Sequence, residues 1–224
     1  MNKIIVPFVM LLILTGCQSG NKSDKVTTAS EQEAAETAGA EYSIDTTATK
    51  VSWRATHKGG LAPRYGNIEV SSGVLSAEDG ALSGGNLQLS LNGLKVDPSS
   101  VTEPGKKHTD LEQHLKTADF FDVQKYPEAL FVITKVAPFD SLKHTSAIQG
   151  ANSLISGNLT LKDSTLNIEF PAKLTISENQ INAQARFTID RAAWGLSYKT
   201  EGSPEDWAIS RDVDIEFDIK ADKQ

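Results

Sequence analysis

Four histidines, one cysteine and several close carboxylate pairs are the residues of this chain with chemistry to offer. His57, His108, His114 and His144 are spread widely, apart from His108 and His114. Those two stand six residues apart, a spacing that turns them to different sides of a helix, so they lack the i, i+4 geometry that grips a metal ion. Asp119 with Asp122, and Glu205 with Asp206, fall in loop-like sequence. Acids there are ordinarily solvated or capping, whereas acid/base catalysis needs a carboxylate whose pKa its surroundings have moved. The chain has no G-x-S-x-G, no phosphate-binding glycine loop, no G-x-G-x-x-G and no C-x-x-C pair. These absences favour a binding protein over an enzyme, with neither metal nor cofactor.

Cys17, the only cysteine, has a different chemistry open to it. It is preceded by a short positive start at Lys3 and an apolar run from Ile4 to Leu14, a signal-peptide core too short to span a bilayer. The run ends in Leu14-Thr15-Gly16-Cys17, which resembles the lipobox at which bacterial lipoproteins are cleaved and acylated. The expected organisation is a signal peptide over 1–16, a lipidated N-terminus with a disordered tether over 17–41, and one domain over 42–224. Two or more acyl chains hold a protein to a membrane stably, since each buried methylene contributes roughly 0.8 kcal/mol. Gln18, not Asp, follows the cysteine, and the resemblance to sorted lipoproteins then implies the outer membrane, with the domain in the periplasm or at the cell surface. The tether is expected to be disordered because residues 18–41 carry no aromatic and Val26 as their one large apolar side chain. Such a segment buries too little surface to offset the entropy of ordering it.

The net charge of −7 and the lack of any Lys/Arg cluster exclude a nucleic-acid partner. From Tyr42 onward apolar and polar residues alternate, which predicts half-buried strands. The apolar series are Val51, Trp53 and Ala55; Ile68, Val70, Ser72 and Val74; Leu87, Leu89 and Leu91; Ile155, Gly157, Leu159 and Leu161; Leu166, Ile168 and Phe170; Ile181 to Ile189; and Val213 to Ile219. Turn signals surround Gly80, Asp163 and Asn179. The fold class is therefore all-β, a sandwich or a closed antiparallel meander, and a barrel of about eight strands is just wide enough to hold a ligand.

One segment departs from this period. In His108 to Phe121, Thr109 with Glu112 forms a capping-box pattern, and Leu111, Leu115 and Ala118 recur at helical spacing. A short amphipathic helix is expected there, against the wall or across an opening. The strand that follows, Ala129 to Val136, is apolar on both faces, with Phe131 and Ile133 on one and Leu130, Val132 and Val136 on the other. It needs an outer cover, for which the helix is the nearest candidate.

Three stretches carry a resemblance: HLKTADFFDVQKYPEALFVITKV (114–136), ISGNLTLKDSTLNIEFPAKL (155–174) and FTIDRAAWGLSY (187–198). In order and spacing they resemble the YceI-like family of bacterial polyisoprenoid-binding proteins, over about Tyr42 to Ala221. The resemblance implies an extended, lipocalin-like, eight-stranded antiparallel barrel with a short inserted helix. It also implies a long isoprenoid lipid, such as a quinone or a lipid pyrophosphate, in the lumen with its head near the mouth. Candidate lining residues are then Trp53, Leu87, Leu89, Leu91, Phe131, Ile133, Leu159, Leu161, Phe170, Phe187 and Phe217, each of which could equally fill a solid core. His57 and Arg191 are the polar candidates, with Trp194 close by. His57 suits either a rim carbonyl or a ligand; Arg191 suits either a head group or a neighbouring acid such as Asp190 or Glu201. The competing reading is a structural or interaction barrel with a filled core.

Overall fold

The computed structural model describes residues 23–57, 62–200 and 209–224. Within them run β1 (Asp24–Lys25), β2 (Thr28–Ser30), β3 (Ala40–Ile44), β4 (Lys50–His57), β5 (Ala62–Glu78), β6 (Ala81–Val96), α1 (His108–Leu115), β7 (Glu128–Pro138), β8 (Ser153–Leu161), β9 (Ser164–Ile176), β10 (Gln180–Asp190) and β11 (Ile209–Lys223). From β5 to β11 each strand pairs antiparallel with the next. β3 and β4 lie end to end between β11 and β5, together making one wall position and closing an eight-position barrel. The expected turns are present. Asp79 and Gly80 both have positive φ, the mirror-image turn that joins strands of right-handed twist, and Ser177 closes onto Gln180 at the third.

The alternating series build the interior because successive strand residues point to opposite faces. Val51, Leu87, Leu91, Ile133, Ile155, Ile168, Phe170, Ile181 and Ile219 are all buried. Of the register slips in the sheet, one in β5 and one in β7 shift the phase of the expected apolar series. In β5 the register slips between Val70 and Ser72, so Gly73 and Leu75 oppose Leu87 and Gly85, and Ser72 and Val74 turn outward. In β7 the slip between Ile133 and Lys135 places Val136 opposite the inward Ile155, so Val136 shares the inner face with Phe131 and Ile133.

The helix forms, with two corrections. Its N-cap is Lys107 without a side-chain bond, so Thr109 and Glu112 make no capping box. Glu112 is buried instead, and accepts a hydrogen bond from the Val96 N–H at 3.0 Å. That bond holds α1 against the end of β6, with Leu111 and Leu115 packed on Trp53, Leu94 and Val96. The helix does not cover the outer face of β7, where Leu130 remains 38% exposed.

What crosses β7 is the segment expected to be a disordered tether. From Ser23 to Gly39 the chain lies along the outside of the barrel, and the Ala35 N–H donates to the Ile133 carbonyl at 2.9 Å. Asn158 grips Gln32 at both backbone groups, and Ser83 does the same for Ala38. Backbone hydrogen bonding and side-chain amides, rather than apolar burial, supply the attachment, so a composition poor in apolar residues does not leave this segment loose. Val26, the segment's one large apolar residue, packs against the core.

The same segment completes the wall at one place. β9 and β10 pair only from Lys173 to Ile176 with Ile181 to Gln184. Toward the α1 end they part. β1 runs parallel to β10, with Asp24 and Lys25 opposite Phe187 and Thr188. β2 runs antiparallel to β9, with Thr28 opposite Ile168 and Ser30 opposite Leu166.

Candidate functional site

Inside the barrel is a cavity of about 810 Å3, near the upper end of the roughly 300–1,000 Å3 usual for ligand pockets. The walls are strand residues pointing inward, so almost every contact they offer is hydrocarbon. Trp53, Leu87, Leu89, Leu91, Phe131, Ile133, Leu159, Leu161, Phe170, Phe187 and Phe217 all line it. Alternation also brings Val51, Ile68, Ala183, Ile189, Ile215 and Ile219 to the same surface. Four phenylalanines meet on this surface: Phe170 stacks on Phe187 at 4.3 Å between ring centres, and Phe131 and Phe217 each stand 5.7 Å from Phe170. Gly157 makes room for this group, since a Cβ there would lie 2.2 Å from the Phe131 ring.

The α1 end is the polar end. Leu111, Leu115, Phe120 and Phe121 overhang the cavity, and Arg64, Glu103, Lys106, Lys107, Asp110, His114 and Lys199 surround its opening. Arg64 is tied down by two bonds to Glu103, at 2.6 and 2.7 Å, and one to the Ser100 carbonyl. Phe120 is packed edge-on by His114, flanked by Tyr198 and overlain by the Arg191 guanidinium 5.8 Å away, so the helix is sewn to the loop after β10 by ring contacts. The His114 Nε2–H donates to the Asp119 carboxylate, 2.8 Å away. Arg64 is in phase with Ile68 on β5, but the other mouth residues stand on α1 and on loops, where strand alternation does not reach.

Arg191 is buried at the cavity wall, and its guanidinium donates to the carbonyls of Leu196, Tyr198, Ile209 and Ser210. A planar fork of five N–H groups suits that cluster of carbonyls, so Arg191 fastens the loop to the start of β11. Asp190 does not pair with it. The Asp190 carboxylate takes Arg211 at 2.5 and 3.1 Å and the Ala192 N–H, and the bond from Arg211 holds its pKa below the usual carboxylate value. Trp194 does not reach the cavity; it is fully buried, its indole N–H donating to the Leu159 carbonyl at 2.8 Å. His57 ends β4 opposite Ala62 and Ile209, and its side chain lies outside the described residues, as do Cys17 and Glu201. The Trp53 indole N–H is buried without an acceptor among the described residues.

Residues 42–221 match the YceI-like domain, which is most of the chain. The chain belongs to the YceI-like family. Protein YceI of Salmonella arizonae and that of Salmonella enteritidis are each 28% identical over 137 residues, 60% of this chain. That stretch is 62% of either relative, less than two thirds of its length. Among solved structures, BcnA of Burkholderia cenocepacia superposes with a TM-score of 0.57 at 16% identity, over 80% of this chain and 99% of the other. A polyisoprenoid binding domain from Saccharophagus degradans superposes with a TM-score of 0.54, also at 16% identity, over 82% and 98%. At such identities the likeness is one of fold, and it agrees with the closed eight-position barrel.

Proposed function

We propose that this protein binds a long-chain isoprenoid lipid in its lumen and keeps it from water, as a carrier or a store rather than as an enzyme. The observation that carries the reading is the apolar cavity of about 810 Å3, open where a solid structural barrel would be filled. Enclosing a prenyl chain gains roughly 25 cal/mol per Å2 of surface removed from water, and the wall imposes no hydrogen-bonding requirement along the chain. A quinone or lipid pyrophosphate head would sit at the α1 end, where the charged side chains are. The fold likeness to a polyisoprenoid binding domain supports the same ligand class.

The second part of the proposal is the anchor: export, acylation at Cys17 and attachment to the outer membrane, with the barrel in the periplasm or at the cell surface. The Leu-Thr-Gly-Cys sequence after an apolar run supports it.

Native mass spectrometry of the purified protein, followed by lipid extraction, tests the ligand. The expected result is a bound mass that releases as an isoprenoid; protein that purifies empty and takes up no prenyl lipid would overturn the reading. For the anchor, Cys17→Ser should move the protein from the membrane to the soluble fraction. Unchanged membrane attachment would refute acylation there.

A further inference from the structure

Three observations meet at the seam between β9 and β10. First, the ladder between these strands stops at Lys173 and Gln184, leaving Ile168, Phe170 and Phe187 on the edges of a gap that borders the cavity. Second, the gap is filled from outside by β1 and β2, which belong to no hairpin with either neighbour. Third, the filling is lightly held. Thr28, Ala29 and Ser30 are exposed, Val26 is the single large apolar side chain packed inward, and the remaining ties are polar, such as Val26 N–H to the Thr188 carbonyl and Lys25 to Asp212.

We propose that the β9–β10 seam is a lateral port through which the lipid chain passes into the lumen, and that residues 24–30 are the latch that closes it. The port rests on the lipid-binding reading above. Segments with few buried apolar contacts and exposed backbone hydrogen bonds open at far lower free energy than the body of a domain. Releasing this one leaves the eight main wall positions joined through their other ladders, including the far part of β9–β10. It uncovers an edge whose inward side chains are apolar. The α1 end is less suited to a hydrocarbon chain, because the chain would have to cross charged side chains and displace Phe120, which is held on several sides. Behind the latch, the stacked rings of Phe170 and Phe187 bridge the two strands from within, a second leaf that parts by rotation of side chains rather than by breaking a sheet.

A disulfide lock tests the port. Ala29 and Asn167 stand directly opposite each other in antiparallel strands, a pairing whose Cα separation suits a disulfide. The full chain carrying Ala29→Cys with Asn167→Cys is prepared oxidised and reduced, and mixed with phosphatidylethanolamine–phosphatidylglycerol vesicles containing solanesol, a polyprenyl alcohol. Loading is followed by native mass spectrometry. The oxidised form should load at least about ten-fold more slowly than the reduced form, with the rate restored by reductant, and both should reach the same final occupancy. Val26→Ser, which weakens the latch without a cross-link, should load faster than wild type. Equal rates in oxidised and reduced forms, with wild-type loading intact, would overturn the port alone. Failure of the wild-type chain to load would overturn the lipid reading itself.

Discussion

Asn158 holds the backbone of Gln32 at both ends, accepting its N–H at 3.1 Å and donating to its carbonyl at 2.7 Å, across 126 positions of sequence. Its Oδ1 also takes the Nδ2 of Asn167, which in turn donates to Thr134. Both asparagines occupy outward positions of the barrel wall, yet both are buried. Outward amides buried in this way make sense only beneath a docked segment.

Asn158→Ala should therefore unfasten residues 30–36. Leaving buried partners unsatisfied costs about 1–3 kcal/mol, so the urea midpoint should fall, while amide exchange should rise first at Gln32 and Ala35. Exchange that rises evenly over the whole barrel would contradict a local clamp.

Gly157→Val should destabilise by about 1–3 kcal/mol, because the new side chain meets the Phe131 ring and the Val132 carbonyl, only 2.8 Å from its Cβ. The Phe131 ring then has to move toward the lumen. Prenyl-lipid affinity should drop along with stability, whereas a wall glycine unrelated to the lumen would lower stability only.

Leu89→Trp adds a ring to the cavity surface. A filled core would be strained by it, but a lumen of about 810 Å3 has space for it. Stability by urea titration should stay near wild type while solanesol binding weakens at least about ten-fold, equivalent to about 1.4 kcal/mol. A large loss of stability would point to a packed interior.

Asp190 has its folded pKa depressed, first by its bond from Arg211 and also by the Ala192 N–H, with partial burial acting in the opposite direction. A depressed value means that its contribution is complete above the ordinary value of 3.8 and is lost as pH falls through the lower folded value. Wild type should thus lose stability over that acid interval more steeply than Asp190→Asn. Near neutral pH the substitution should cost from a few tenths to about 1 kcal/mol, the range for a partly exposed ion pair. Parallel pH profiles for the two proteins would show that the pair contributes nothing.

Strand alternation carries most of the interior on its own: Leu87 to Leu91 and Val213 to Ile219 face inward because a period of two leaves a half-buried strand no other choice. It fails at Val74 and Val136, each beyond a bulge, since one inserted residue reverses the phase and neither bulge has a glycine or proline to announce it. Arg191 continues the inward series of β10, but among the described residues it bonds carbonyls of a loop and of the start of β11, which no residue-type signal marks. The segment before Tyr42 was hidden for another reason. Its attachment lies in its own backbone and in asparagines more than a hundred positions away, so its composition resembles that of an unstructured linker.

That attachment shortens a distance. An acylated Cys17 would stand seven residues before Asp24, and seven residues of fully extended chain reach at most roughly 25 Å. A free segment as far as Tyr42 would let the barrel tumble at any angle above the lipid head groups. A short leash that begins beside Phe187 would instead select one flank of the barrel to look at the bilayer. Acylation would then determine the protein's orientation as well as its address.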